Sequence, residues 1–286
     1  MRKTISAWSI QGNDTRPAEQ LIDEAKAAGF ANIELAIGEK GAPVLTGDTQ
    51  ARCAEIKAYA AKQGVALETA ATGISWGVNP TSPDAATRKR SVDLHAAALQ
   101  RAAWLGAKGM LMVPAVSICV WEKGLPIAPY SDIYRWCVEN GKTLAKTCDQ
   151  VGIDLLYENV WNGFAYSPLE FAKLIDDIGH PRVGVYFDVG NCIGIHQYPP
   201  SWIAILGKRI KRVHIKDWKS DPGGLAGFCD LGEGEVPWAE SFAALRQIGY
   251  AETVVAEIMP AKDPAGLRGI AKAMDKLFAS AASAKS

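Results

Sequence analysis

The chain has 286 residues, 48% of them hydrophobic, with 31 Lys+Arg against 31 Asp+Glu and a formal net charge of zero. That length suits one large domain with a sizeable core, spanning 1–286, and the missing basic excess argues against a nucleic-acid binder. No run is apolar enough to span a membrane or serve as a signal peptide, and the six cysteines form no CxxC pair, so a cytoplasmic protein with reduced thiols is expected.

Strand-like and helix-like segments alternate along the chain, separated by Gly, Pro or Asp. Lys3–Ile10 reads as the first strand, and Pro17–Ala28 as a helix with Pro at its start and Gly29 as its stop. Ala31–Ile37 is the second strand and Asp48–Gln63 the second helix, closed by Gly64. Val65–Thr72, the long helix Ser82–Leu105 and the strand Ala107–Val116 follow. The second half keeps the rhythm with helix Ser131–Val151, strand Ile153–Val160, helix Ser167–Ile178 and strand Val183–Asp188. Then come a short helix Pro200–Leu206, strand Ile210–Lys216, the Gly-rich loop Asp217–Val236, helix Pro237–Ile248, strand Glu252–Ile258 and helix Pro264–Ala279. Eight strand–helix pairs without a composition break predict a single-domain α/β protein, a closed (β/α)₈ TIM barrel with parallel strands. An open doubly wound sheet is disfavoured, because GNDTRP rather than a Gly-rich fingerprint follows the first strand.

The longest excursions, 38–47, 73–81, 117–130 and 217–236, all follow strands, which is the active-site side of such a barrel. Trp76, Trp121, Trp161 and Trp218 lie in or beside these loops. They suit either an aromatic rim for a sugar ring or ordinary loop packing.

The strand VGVYFDVGN stops on Asp188, and three more strands end alike: Glu158 in YENV, His214 in VHIKD and Glu257 in VAEI. Taken alone, each has a plain explanation as a cap, an ion pair or a satisfied core histidine. Together they occupy strands five to eight, whose C-terminal ends converge on the barrel axis. One imidazole and three carboxylates at one point repel each other unless a cation joins them. An oxygen-rich set with one imidazole suits Mn²⁺, Mg²⁺, Co²⁺ or Zn²⁺.

These pieces resemble the xylose isomerase-like TIM-barrel superfamily of sugar and sugar-phosphate isomerases and epimerases. The resemblance rests on NIEL (Asn32–Leu35), YENV, FDVGN, HIKDW (His214–Trp218), LGEGEVPW (Leu231–Trp238) and the final AEI, and covers nearly the whole chain. The run from HIKD to GEG looks most like the L-ribulose/L-xylulose-5-phosphate 3-epimerase branch. The resemblance implies one divalent metal, Mn²⁺ first, on Glu158, Asp188, His214 and Glu257. Free-ketose 3-epimerases usually carry a His three residues after the metal Asp, where this chain has Asn191, and an Arg after the seventh strand, where Lys219 and Ser220 stand.

The implied reaction removes a weakly acidic proton beside a ketose carbonyl, with a metal stabilising the enediolate and carboxylates moving the proton. Glu158 and Glu257 are the expected acid/base pair as well as ligands, and Asp188 and His214 ligands only. Asn191, Lys216, Lys219, Glu233, Trp8 and Trp121 are candidates for substrate contact. The glycines of the seventh loop, with Lys216 and Lys219, suit a seat for a substrate phosphate, although the loop's own carboxylates oppose one; the other reading of this loop is a lid that closes over a neutral sugar. The partner is thus a small sugar or sugar phosphate, with no nucleic acid or membrane, and a homo-oligomer is compatible with the chain. The alternatives are a metal-dependent dehydratase of the inosose dehydratase type, a non-catalytic sugar-binding barrel, and an endonuclease IV-like nuclease. That last branch uses several more histidines than the four present here.

Overall fold

The computed structural model describes residues 1–119, 124–259 and 264–283. Its sheet is built from β1 Arg2–Ser6, β2 Ile33–Gly38, β3 Thr69–Thr72, β4 Gly109–Met112, β5 Asp154–Glu158, β6 Val183–Asp188, β7 Ile210–Ile215 and β8 Thr253–Ala256. Most positions of these runs are buried on both faces, as parallel strands covered by helices must be, with charged residues such as Arg2, Lys3, Asp154 and Lys211 at or near the strand starts. Each strand pairs in parallel with the next, and β8 pairs back to β1 from Arg2↔Thr253 to Ile5↔Ala256. The sheet is therefore a closed eight-stranded barrel, as the alternation predicts.

Several strands are shorter than the sequence implies. The stretch before β3 makes one isolated bridge, Asn32↔Ala66, and the continuous ladder begins at Thr69. After β6 the chain enters a short helix, Val189–Gly194, in a stretch where the sequence predicts no element. The last helix runs to Ser283.

Helices form the outer layer by burying one face. In Pro168–Ile178 that face is Phe171, Leu174, Ile175 and Ile178, each such side chain contributing roughly 1.5–3 kcal/mol of transfer free energy. The helix Ala85–Leu105 starts where the Asp84 side chain accepts from the Thr87 amide and stops where Gly106 turns left-handed. All six cysteines are free, and no described helix is long and apolar enough to cross a membrane.

Side chains two apart on a strand share a face. Inside the barrel Ala71, Leu111, Leu156, Tyr186 and Val255 pack together. One step further along β5, β6 and β8, the same face carries Glu158, Asp188 and Glu257. Asp188 stands in register with His214 of β7. An apolar plug thus closes the barrel directly beneath a charged layer.

Candidate metal centre

The two asparagines of YENV and FDVGN explain why those motifs hold together. Asn159 accepts from the Asp188 amide and donates to the Asp188 carbonyl, both at 2.8 Å. Asn191 donates from Nδ2 to the Asn159 carbonyl at 3.0 Å. These bonds lock the ends of β5 and β6 together. Gly190 is required beside them, because a Cβ there would lie 2.2 Å from Lys216 Cγ. Asp188 then does two things at once. Its Oδ1 accepts from the Asn191 amide at 2.6 Å and caps the helix Val189–Gly194. Its Oδ2 is buried without a hydrogen bond.

His214 sits at the centre of the charged layer. Its Nδ1 lies 3.3 Å from Glu158, 3.1 Å from Glu257 and 3.9 Å from Asp188. Ligating atoms from these four residues all lie within 4.8 Å of one another. The opposite nitrogen, Nε2, is 2.9 Å from Glu34 Oε1. Glu34 Oε2 in turn accepts from Tyr186 at 2.5 Å and from Thr69 at 3.3 Å. A carboxylate behind an imidazole fixes its tautomer and aims the other nitrogen, the usual arrangement behind a metal-binding histidine.

Lys216, next inward after His214, places Nζ 3.1 Å from Asp188 Oδ2 and 2.8 Å from Glu257 Oε2. Neither oxygen receives a well-directed hydrogen bond in spite of that proximity. Four carboxyl groups (Glu34, Glu158, Asp188, Glu257) therefore face two groups able to carry positive charge, His214 and Lys216. Burial pushes Glu158 up to about 7, against the pull of His214. Burial also raises Asp188, with Lys216 opposing. Glu257 differs: burial raises it, but Lys216 and His214 outweigh that and hold it well below the ordinary carboxylate range. Burial lowers His214, yet Glu34, Glu158 and Glu257 overcome this and raise it well above normal. The orphaned oxygens and the surplus of carboxyl groups fit a divalent cation on Glu158, Asp188, His214 and Glu257.

A cavity of about 400 Å³ opens over the cluster. Glu158, Asn191, Lys216 and Glu257 reach it, and Trp8, Trp76, Trp161 and Phe228 wall it. Of the candidates for substrate contact, Asn191, Lys216 and Trp8 thus line the cavity. Lys219 and Glu233 do not, and face each other at 3.9 Å. Trp121 lies outside the described residues.

The model of a family described as "Xylose isomerase-like TIM barrel" matches residues 22–278. The chain belongs to this family. Similar solved structures include a D-psicose 3-epimerase in the presence of D-fructose, at 20% identity and a TM-score of 0.83, covering 98% of this chain and 99% of that one. An L-ribulose 3-epimerase matches at 20% identity and a TM-score of 0.76, covering 100% and 98%. The IolI protein with a zinc atom matches at 15% identity and a TM-score of 0.77, covering 97% and 98%. At such identities the likeness is one of fold.

Within this xylose isomerase-like frame, two residues carry more than the sequence analysis assigned them. Glu34 belongs to NIEL, and its signal was a lone carboxylate between Ile33 and Leu35 in a strand buried on both faces, where an unpartnered charge is costly. Asp217 explains why HIKDW is followed by GEG and PW. Its Oδ1 accepts from the amides of Trp218 and Val236 at 3.0 and 3.2 Å. Its Oδ2 accepts from the Gly232 amide at 2.8 Å and from Trp238 Nε1 at 3.0 Å. Gly234 must be glycine, since a Cβ would lie 2.1 Å from Asp217 Oδ1. These loop amides, which a phosphate seat would draw on, point at Asp217.

Proposed function

We propose that the protein is a divalent-metal-dependent isomerase or epimerase of ketose-type sugars, moving a proton beside the carbonyl through an enediolate. The observation that carries this reading is the convergence of Glu158, Asp188, His214 and Glu257 within 4.8 Å, with buried oxygens of Asp188 and Glu257 lacking hydrogen bonds. The donor set fits Mn²⁺ best, with Mg²⁺, Co²⁺ and Zn²⁺ also accommodated. The cation would supply electrostatic stabilisation for the negative charge that develops on the substrate oxygens. The fold's resemblance to 3-epimerases supports the same reading.

The chain's own groups do the proton work. Glu158 and Glu257 project from β5 and from just past β8, on either side of β6 and β7. One removes the proton and the other returns it. Glu158 and Glu257 both reach the cavity, where a carboxylate can meet the proton beside the substrate carbonyl. Asp188 is kept from rotating by its cap to Asn191, and Glu34 fixes His214. The six free cysteines support a reducing, cytoplasmic setting.

The test is chelated protein reloaded with Mn²⁺ and incubated with ketoses in D₂O, with products and deuterium at C3 followed by NMR. Exchange and epimer formation that depend on the ion are expected. An enone product would instead point to dehydration. Absence of both ion uptake and exchange would sink the proposal.

A further inference from the structure

We infer that the site takes a ketose-type substrate bearing an apolar substituent remote from its carbonyl, and not a phosphorylated one; this rests on the isomerase reading above. The polar groups of the cavity gather at one end. Two of them are the proposed acid/base pair. Lys216 Nζ is held by Asp188 and Glu257, and Asn191 Nδ2 by Asn159. Beyond that end, the described wall includes Trp8, Trp76, Trp161, Leu225, Phe228 and Met259. Among the described side chains of that wall, a phosphate or a string of hydroxyls placed there loses water and meets no cation, whereas an apolar group gains by leaving water.

Aromatic faces also stack on the C–H face of a sugar, so the tryptophans alone do not decide. Leu225 and Met259 do, because they offer neither a ring face nor a hydrogen bond. Both line the cavity, and overall they are 48% and 70% exposed. Apolar side chains held open over a binding site suit an apolar ligand group that covers them.

The Gly-rich loop is built to present this wall. Asp217–Trp218 and Phe228–Cys229 pair as short antiparallel strands. Trp218 Nε1 donates to the Gly224 carbonyl at 2.9 Å, and the Lys219 amide to the Gly227 carbonyl at 2.8 Å. A Cβ at Gly227 would lie 2.4 Å from the Lys219 carbonyl oxygen, so its glycine serves close packing of the loop on itself. Phe228 stacks on Trp161 with centroids 5.0 Å apart. The amides of Gly232 and Val236 are held by Asp217. The loop thus brings hydrocarbon to the site.

The experiment compares D-fructose, D-fructose 6-phosphate and 6-O-benzyl-D-fructose on the Mn²⁺-loaded protein, by calorimetric Kd and by C3 deuterium exchange. The benzyl ether is expected to bind roughly ten- to a hundredfold tighter than fructose, from burial of one ring, and the phosphate no tighter. Leu225→Ser and Met259→Ser should each weaken the ether more than fructose. Tightest binding of the phosphate, or an ether no better than fructose, overturns the inference even when exchange is seen. Tighter ether binding with no exchange from any of the three sinks the isomerase reading while upholding the apolar pocket.

Discussion

Two aspartates stand fully buried at neighbouring strand ends, Asp188 at the end of β6 and Asp217 just past β7. Asp217 takes hydrogen bonds from four donors, two on each oxygen. Asp188 takes one, and its second oxygen has none. Two buried histidines divide in the same way. His95 has serine and backbone partners only, Ser75 at 3.2 Å and the Ser91 carbonyl at 2.7 Å. His214 is surrounded by carboxylates. A buried polar group whose bonding capacity is met holds the fold together. One left short at the barrel mouth is available to a ligand.

The sharpest way to break this division is Glu158→Gln. If the mouth cluster is functional, C3 exchange should fall by about 10²–10⁴-fold, the usual worth of a positioned acid/base group. The metal-free protein should unfold no more easily than wild type above neutral pH. Burial holds Glu158 up to about 7, so its ionised form is disfavoured in the fold, and a neutral amide removes that penalty. A variant that keeps its exchange rate but loses stability would move Glu158 into the structural class.

The opposite pattern is expected for Asp217→Asn. The amide presents N–H groups to backbone N–H donors, and roughly 3 kcal/mol of stability should go with the lost charge-assisted bonds. Divalent-ion affinity, by calorimetry, should stay near wild type. A large fall in affinity without a fall in urea midpoint would contradict the assignment.

This division also marks what the sequence could and could not say. The barrel was legible because eight apolar runs alternate with capped helices, and the four strand-end residues because they close successive strands. Glu34 was harder, since its role depends on an imidazole 180 residues away and on the inward phase of β2. Asp217 looked like part of a polar loop, and the glycines after it like an anion cradle. Only the folded loop shows that those amides and Gly234 close on the Asp217 carboxylate. The helix after β6 was hidden because Val189–Gly194 is too short to show a period. His95 and His214 both sit among apolar residues in sequence, and only their partners separate them.

His95 sharpens the comparison through pH. Burial lowers its pKa from 6.5 to about 4, so it stays neutral in the fold while the unfolded chain protonates near the ordinary value. Its contribution is present above pH 6.5 and is lost as pH falls through that value toward about 4; the interval is worth about 3 kcal/mol. Urea unfolding of wild type and His95→Gln at several pH values across this window checks it. The variant should start less stable at neutral pH and lose less on acidification. Parallel pH profiles would remove His95 from the account of acid lability.

Glu34→Gln is the smallest effect and the most discriminating, because Glu34 lies on the border between the two classes. Its oxygens are bonded by Tyr186, Thr69 and His214, so by bonding count it resembles Asp217. Its position behind His214 instead places it with the mouth cluster. A glutamine keeps the shape and one acceptor oxygen but removes the charge that orients the imidazole and raises its basicity as a ligand. Divalent-ion affinity should then fall by about 10–100-fold, with the thermal midpoint of the metal-free protein little changed. The reverse result, a lowered midpoint with affinity intact, would show that the Tyr186–Thr69–Glu34 network supports the barrel core and that His214 is aimed by packing against Tyr186, whose ring lies 4.4 Å from the imidazole.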